Sequence, residues 1–386
     1  MPSTDIHQSD LCLKFTLTRH TKAVNALAVS PQGSMLLSGG NDSRVVLWNL
    51  ISGEMIQEYC VPSAGFVSCL AWVNLSNEED AFVFGASDGN IHLYARGKDS
   101  PLFAFCSVTL AHEGTIESVA WDSIHRRLAS VGNGEVRLWK VGDEAKSFVQ
   151  LTIDAEKQPY VARAVHFCDS GSSLLVSYLE SGFVFCFTID PWQLKWKKKA
   201  NGRIGSACFD GQQLLICNLR DGVDRYALPT MHRAQSYHHT ILTNVPFQIS
   251  VTRESGWVVV GGDNGFARIF DYQLGTFREK LDHGSAGDLI IAVTAYDGPK
   301  GCTIVTGSAL DGHSSVKVWG QRNEVRSSQT SLPFTATPHG RTGVSIKQMI
   351  IFAFICIIVN LAMRYLPSSI PDDIDIAVMT RDLLRS

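Results

Sequence analysis

Leu36-Leu37-Ser38-Gly39-Gly40-Asn41-Asp42-Ser43-Arg44-Val45-Val46-Leu47-Trp48 decides the fold, because its pattern returns along most of the chain. Two apolar residues lead to a small pair and a polar turn, then to an alternating strand that ends in an aromatic. A repeat of this length is one supersecondary unit that cannot bury its own apolar face alone. Function is therefore expected on the array and not within one copy.

The closing aromatics fall at Trp48, Tyr94, Trp139, Phe187, Tyr226, Phe270 and Trp319, at intervals of 46, 45, 48, 39, 44 and 49 residues. That spacing fits a four-stranded propeller blade and is too long for ankyrin or tetratricopeptide units. The segments Val45–Trp48, Val136–Trp139 and Val316–Trp319 are short, rich in β-formers and bounded by Gly, Asn and Asp. Each unit also has an upstream strand of small and apolar residues, such as Val24–Val29 and Ile116–Trp121, suited to a crowded inner position. The expected fold is all-β: a seven-bladed β-propeller over residues 11–322, after a flexible N-terminus at 1–10. Leu11–Leu17 alternates like a strand and is expected to supply the outer strand of blade seven, so that the ring has no open edge.

These residues resemble the WD-repeat family of β-propellers over about residues 11–320. His20, Ser38, Asp42 and Trp48 match the family's structural tetrad of His, Ser, Asp and Trp one for one. The resemblance implies that Asp bonds His, His bonds Ser, and Ser bonds the Trp indole. Blade three keeps His112, Ser130 and Trp139, with Asn133-Gly134 in place of the Asp. Blade two keeps Asp88 with Tyr94, blade six has Asn264 and Phe270, and blade seven has Asp311 and Trp319. Blades four and five fit by pattern. The literal Trp-Asp pair is missing from every closing position: Asn49, Lys140 and Gly320 follow Trp48, Trp139 and Trp319.

The last residues have another composition. A Ser/Thr/Arg/Gly/Pro-rich linker is expected over 323–344. Residues 345–366 then contain an apolar run that includes Ile346, Met349, Phe352, Phe354, Ile358, Leu361 and Leu366. As a helix, Ile346 to Leu366 would be about 31 Å long, close to the ~30 Å of a bilayer core. Lys347 and Arg364 stand near its ends, where long cationic side chains can reach the interfaces. The expectation is a transmembrane helix, followed by a short acidic tail at 367–386. A helix that packs on the propeller or on a partner is the alternative. Basic residues Arg326 and Arg341 before the span, and Lys347 at its start, favour a cytosolic propeller. A thinner internal membrane such as the endoplasmic reticulum suits the span's length.

The net charge of −3 provides no field for polyanions, which argues against nucleic acid as a partner. The ten cysteines include no CxxC pair; several, such as Cys69, Cys186, Cys208 and Cys217, sit inside strand patterns and read as buried small hydrophobes, which fits a reducing compartment. Asn41-Asp42-Ser43 and Asn74-Leu75-Ser76 are glycosylation sequons, relevant only if the propeller is lumenal.

His, Ser and Asp in blade one do not read as a hydrolase, because no Gly-x-Ser-x-Gly elbow surrounds Ser38 and the set recurs in part elsewhere. His232, His238 and His239 are assigned to a solvated connection between blades five and six. Trp192, Trp196 and Lys195, Lys197, Lys198 and Lys199 read as an exposed outer strand, with anionic lipid as the alternative reading. No P-loop, GxGxxG, HExxH or EF-hand pattern occurs. No catalytic residue, metal site or cofactor is expected.

The function expected is a non-catalytic, membrane-tethered scaffold for protein partners. Arg19, Lys22, Asn41 and Arg44 are its candidate contact residues on the loop face. A cytosolic propeller followed by a C-terminal span is also similar in organisation to the endoplasmic-reticulum exchange factor that starts vesicle-coat assembly. That resemblance implies nucleotide exchange on a small GTPase, but its family's long first-blade insertion is missing here. A soluble scaffold with a partner-binding C-terminal helix is the third reading.

Overall fold

The computed structural model describes residues 11–75, 81–97, 100–142, 147–299, 301–309 and 314–321. The expected linker, span and tail, and Asp311, lie outside the described residues. Among the described residues, no helix is long and apolar enough to cross a membrane.

Strand β1 (Leu11–Leu17) leads the chain. Blade one follows as β2 (Val24–Val29), β3 (Met35–Gly40), β4 (Arg44–Asn49) and β5 (Met55–Cys60). Blade two is β6 (Val67–Val73), β7 (Ala81–Ala86), β8 (Asn90–Arg96) and β9 (Phe103–Leu110). Blade three is β10 (Ser118–Asp122), β11 (Arg127–Gly132), β12 (Glu135–Val141) and β13 (Phe148–Leu151). Blade four is β14 (Ala162–Cys168), β15 (Ser173–Tyr178), β16 (Phe183–Thr188) and β17 (Gln193–Lys199). Blade five is β18 (Ser206–Asp210), β19 (Gln213–Cys217), β20 (Gly222–Ala227) and β21 (His232–His238). Blade six is β22 (Ile249–Thr252), β23 (Trp257–Val260), β24 (Phe266–Asp271) and β25 (Phe277–Asp282).

Blade seven contains β26 (Ala292–Gly298), β27 (Gly301–Gly307) and β28 (Val316–Gln321), and takes β1 as its fourth strand. The pairing runs antiparallel from Leu11 opposite Gln321 to Leu17 opposite Val316. One sheet thus joins the two ends of the array, and β2 packs beside β26 to complete the circle of inner strands.

All seven closing aromatics occupy one register position. Trp48 faces Leu36, Tyr94 faces Phe82, Trp139 faces Leu128 and Phe187 faces Leu174. Tyr226 faces Leu214, Phe270 faces Val258 and Trp319 faces Ile304. The weakly matching blades therefore keep the register of the strong ones.

The apolar core is divided into seven clusters, each lying at a junction between neighbouring blades. The small residues of the repeat make these junctions close. A Cβ on Gly39 would lie 2.5 Å from Val67 Cγ1 of the next blade. Gly307 stands in the same relation to Val24 across the seam, at 2.8 Å.

The segment assigned to a solvated histidine connection is corrected. His232–His238 forms β21, the outer strand of blade five, and His239 turns inward against Phe270. The period-2 pattern there is masked because polar residues fill both faces of an edge strand.

Deleting residues 1–17 should leave β28 as an unpaired edge. The expected outcome is a lower thermal midpoint and concentration-dependent association in light scattering. A truncated chain as stable and monodisperse as the intact one would contradict closure by β1.

Candidate functional site

The polar chain of blade one is complete. Trp48 Nε1 donates to Ser38 Oγ at 2.9 Å, and Ser38 Oγ lies 2.8 Å from His20 Nε2. His20 Nδ1 is 3.1 Å from both carboxylate oxygens of Asp42. Asp42 can only accept, so the geometry assigns the proton to Nδ1 and makes Ser38 the donor to Nε2. Burial alone would raise the Asp42 pKa. Hydrogen bonds from His20 and from the Thr21 and Arg44 backbone outweigh it and hold the carboxyl below its ordinary value.

The other blades keep less of this chain. In blade three, Ser130 Oγ lies 2.9 Å from both His112 Nε2 and Trp139 Nε1. Glu135 stands 3.9 Å from His112 Nδ1, too far to bond it, and that nitrogen is buried without a partner. Blade seven rebuilds the chain with other residues. Thr306 Oγ1 accepts from Trp319 Nε1 at 3.0 Å and meets His283 Nδ1 at 2.7 Å, while His283 Nε2 reaches Ser315 Oγ at 3.1 Å. The sequence reading missed His283, Thr306 and Ser315, because a longer turn moves Thr306 away from the spacing seen in blade one. Blade two replaces the chain by ring packing: Phe84 stacks on His92 at 4.4 Å and Phe82 on Tyr94 at 5.3 Å.

In an antiparallel meander, the connections into each inner strand and the turns between second and third strands share one end of the ring. Arg19, Lys22, Asn41 and Arg44 all lie there in blade one. Arg19 Nε donates to Glu58 at 2.9 Å, and Arg44 also pairs with Glu58. Burial would raise the Glu58 pKa, but the two guanidiniums outweigh it and lower it. Asn41 Oδ1 accepts from Asn25 Nδ2 at 2.7 Å. Lys22 is exposed and makes no hydrogen bond or ion pair among the described residues. The face is thus less basic than its sequence suggests.

Asn25, Asn41 and the 38% exposed Phe66 edge a central cavity of about 540 Å³ bounded by inner strands. Its polar groups are turned sideways between blades. Arg163 pairs with Glu117 of blade three and donates through Nε to Gly205 O at 2.8 Å before blade five. Asn25 Nδ2 donates to Val67 O at 2.9 Å in blade two. Gln248, beside blade six, accepts from Val293 N of blade seven and donates to Asn25 O of blade one at 2.9 Å. His166 is directed at Ala207 O, 3.2 Å away, and burial pushes its pKa down to about 4. These groups lock the ring open at a fixed width.

A protein-family profile described as "WD domain, G-beta repeat" matches residues 11–49 and 104–140. These stretches are WD40 repeats. Each match begins in an outer strand, β1 or β9, and ends at or just after a closing Trp. Curated relatives match in parts. The rice small ribosomal subunit protein RACK1y is 29% identical over 134 residues, covering 33% of this chain and 38% of that protein. A component of chicken chromatin assembly factor 1 is 27% identical over 133 residues, covering 30% of this chain and 23% of its own. Mouse WD repeat- and FYVE domain-containing protein 4 is 30% identical over 140 residues, covering 34% and 4% respectively. The chain spans less than two-fifths of the length of each of these relatives.

Lys195–Lys199 lies in β17 and is structurally engaged. Lys195 pairs with Asp169 at 2.9 Å, Lys198 donates to Thr230 O, and Lys197 Nζ sits 4.4 Å from the Phe183 ring centroid. Sequence reasoning also missed Cys168, Asp169 and Cys186, whose donor atoms converge although 18 residues separate the first from the last. No short spacing motif signals that set.

Ser38→Ala leaves Trp48 Nε1 and His20 Nε2 without their partner in the core, and should cost about 2–3 kcal/mol in denaturant unfolding. Ser177→Ala, at a buried hydroxyl with no partner, should cost well under half of that.

Burial first pushes His112, His166, His239 and His283 each down to about 4 from 6.5. Between these values the unfolded chain binds more protons than the folded one, so stability falls as pH drops from about 6.5 toward 4. The Asp42 contribution is lost separately, below its unfolded value of 3.8. Denaturant midpoints from pH 7 to 5 should decline, and His112→Gln should make the decline shallower. Midpoints independent of pH over that range would contradict this assignment.

Proposed function

We propose that this chain is a non-catalytic scaffold, tethered to a membrane through residues 345–366, that binds protein partners on the loop face of its propeller. The observation that carries the reading is the loop face, where Asn25, Asn41 and Phe66 edge the central cavity and the Arg19–Glu58–Arg44 cluster lies farther out in blade one. Phe66 offers an apolar anchor and Lys22 a charge, inside a frame whose other polar groups already hold one another. An interface needs a few desolvated anchors within a surface that excludes water, and a frame set before binding lowers the ordering cost of association. Two of the similar proteins are, by name, components of larger assemblies.

The tether rests on the apolar run from Met349 to Met363. Confinement to a membrane raises the effective concentration of partners on the same surface. The basic residues before the run support a cytosolic propeller, and its length suits a thin internal membrane.

Phe66→Ala combined with Lys22→Glu should reduce recovery of cross-linked partners at least tenfold while leaving the thermal midpoint within a few degrees. Unchanged partners would move the interface elsewhere on the ring. The full chain should resist carbonate extraction, and a chain ending at residue 344 should be released. Release of the full chain would refute the tether. Accelerated nucleotide release from purified small GTPases would instead favour exchange catalysis.

A further inference from the structure

Blade four has Val176 where blade one has Ser38, and its polar chemistry gathers at the other end of the sheet. Cys168 closes β14, Asp169 follows it directly, and Cys186 lies in β16. Cys168 faces Ser173 and Cys186 faces Leu175, so both cysteines stand on the same face and approach each other over β15. The two Sγ atoms and an Asp169 carboxylate oxygen lie within 4.8 Å of one another. Cys186 is 1% exposed and Cys168 is also buried, whereas Asp169 is exposed and offers a way in.

A disulfide does not suit this arrangement. β14 and β16 are separated by β15, which puts their backbones about 9.5 Å apart. A disulfide needs Cα atoms within about 7 Å. A bridging ion removes that conflict. Metal–sulfur bonds of about 2.3 Å place two thiolates on one tetrahedral ion at a separation of roughly 3.8 Å, with room for a carboxylate oxygen.

We propose that Cys168, Cys186 and Asp169 form a binding site for a thiophilic divalent cation of the zinc class, with water as the fourth ligand. Binding releases the two thiol protons and gives a dithiolate–carboxylate complex with one net negative charge. Lys195, 2.9 Å from Asp169, is placed to balance that charge from just outside the ligands once the carboxylate turns to the ion. Ser173, buried opposite Cys168, stands on the same face of the sheet as the two cysteines. A bound ion would fasten the inner strand, the third strand and the first turn of a blade whose Ser position is filled by an apolar residue.

The reduced full-length protein, titrated with Co²⁺ and then Zn²⁺, tests this site. The expected results are one equivalent bound, a thiolate-to-cobalt charge-transfer absorption displaced by Zn²⁺, and a raised thermal midpoint. Cys186→Ser should abolish the absorption, and Asp169→Asn should weaken binding roughly tenfold or more. Alkylation mapped by mass spectrometry in the unsubstituted chain needs no variant to fold. Zn²⁺ should slow modification of Cys168 and Cys186 at least tenfold and leave exposed Cys60 unchanged. An absorption that survives in a folded Cys168→Ser/Cys186→Ser chain, or protection confined to other cysteines, would overturn the proposal. Failure of Zn²⁺ to protect either residue would do the same.

Discussion

The antiparallel pairing of β1 with β28 is the constraint on which the rest of this molecule depends. Each blade is a sheet with two apolar faces, and each face is buried only by the next blade. A row of such sheets always ends in two bare faces and an unpaired edge. Joining the first strand to the last sheet removes both at once. It also fixes the circle of inner strands, and with it the width of the cavity. Gln248 reinforces the seam, since its amide links residues in blades one and seven from beside blade six.

With the ring closed, the buried polar chain becomes dispensable blade by blade. Ser38 and Ser130 serve it in blades one and three, and Thr306 in blade seven. The same register position holds Val176, Ile216 and Val260 in blades four, five and six. A hydrogen bond contributes about 1 kcal/mol net, whereas one fully buried Val or Leu contributes about 1.5–3 kcal/mol. Replacing all partners of a chain together by apolar groups therefore costs little. Removing one partner alone strands the others. His239 shows the intermediate condition: Val260 and Phe270 leave its ring nitrogens without partners.

The blade count, the closing aromatics and the role of Leu11–Leu17 were legible because they rest on period and alternation, which are local properties of a sequence. His20, Ser38, Asp42 and Trp48 were legible because blade one preserves their spacing. The blade-seven chain was not, since turn length shifted its members. Nor was the engagement of Arg19 and Arg44 by Glu58, because residues on different strands meet only through register. The approach of Cys168 to Cys186 over β15 belongs to the same class. β21 was misassigned because an edge strand with both faces polar loses the alternation by which strands are read.

Leu11 and Gln321 are register partners although 310 residues separate them. A ribosome adding about 5–20 residues per second takes roughly 15–60 s to cover that distance. Through that interval β1 exists without β28, and the row of blades already made keeps a bare face at each end. The uncharged outer strand Phe103–Leu110, with Phe105, Val108 and Leu110 exposed, emerges early in this period. The newly made chain is therefore a substrate for chaperones in a way that the closed ring is not. Its yield in a cell should depend on translation speed more than its final stability does.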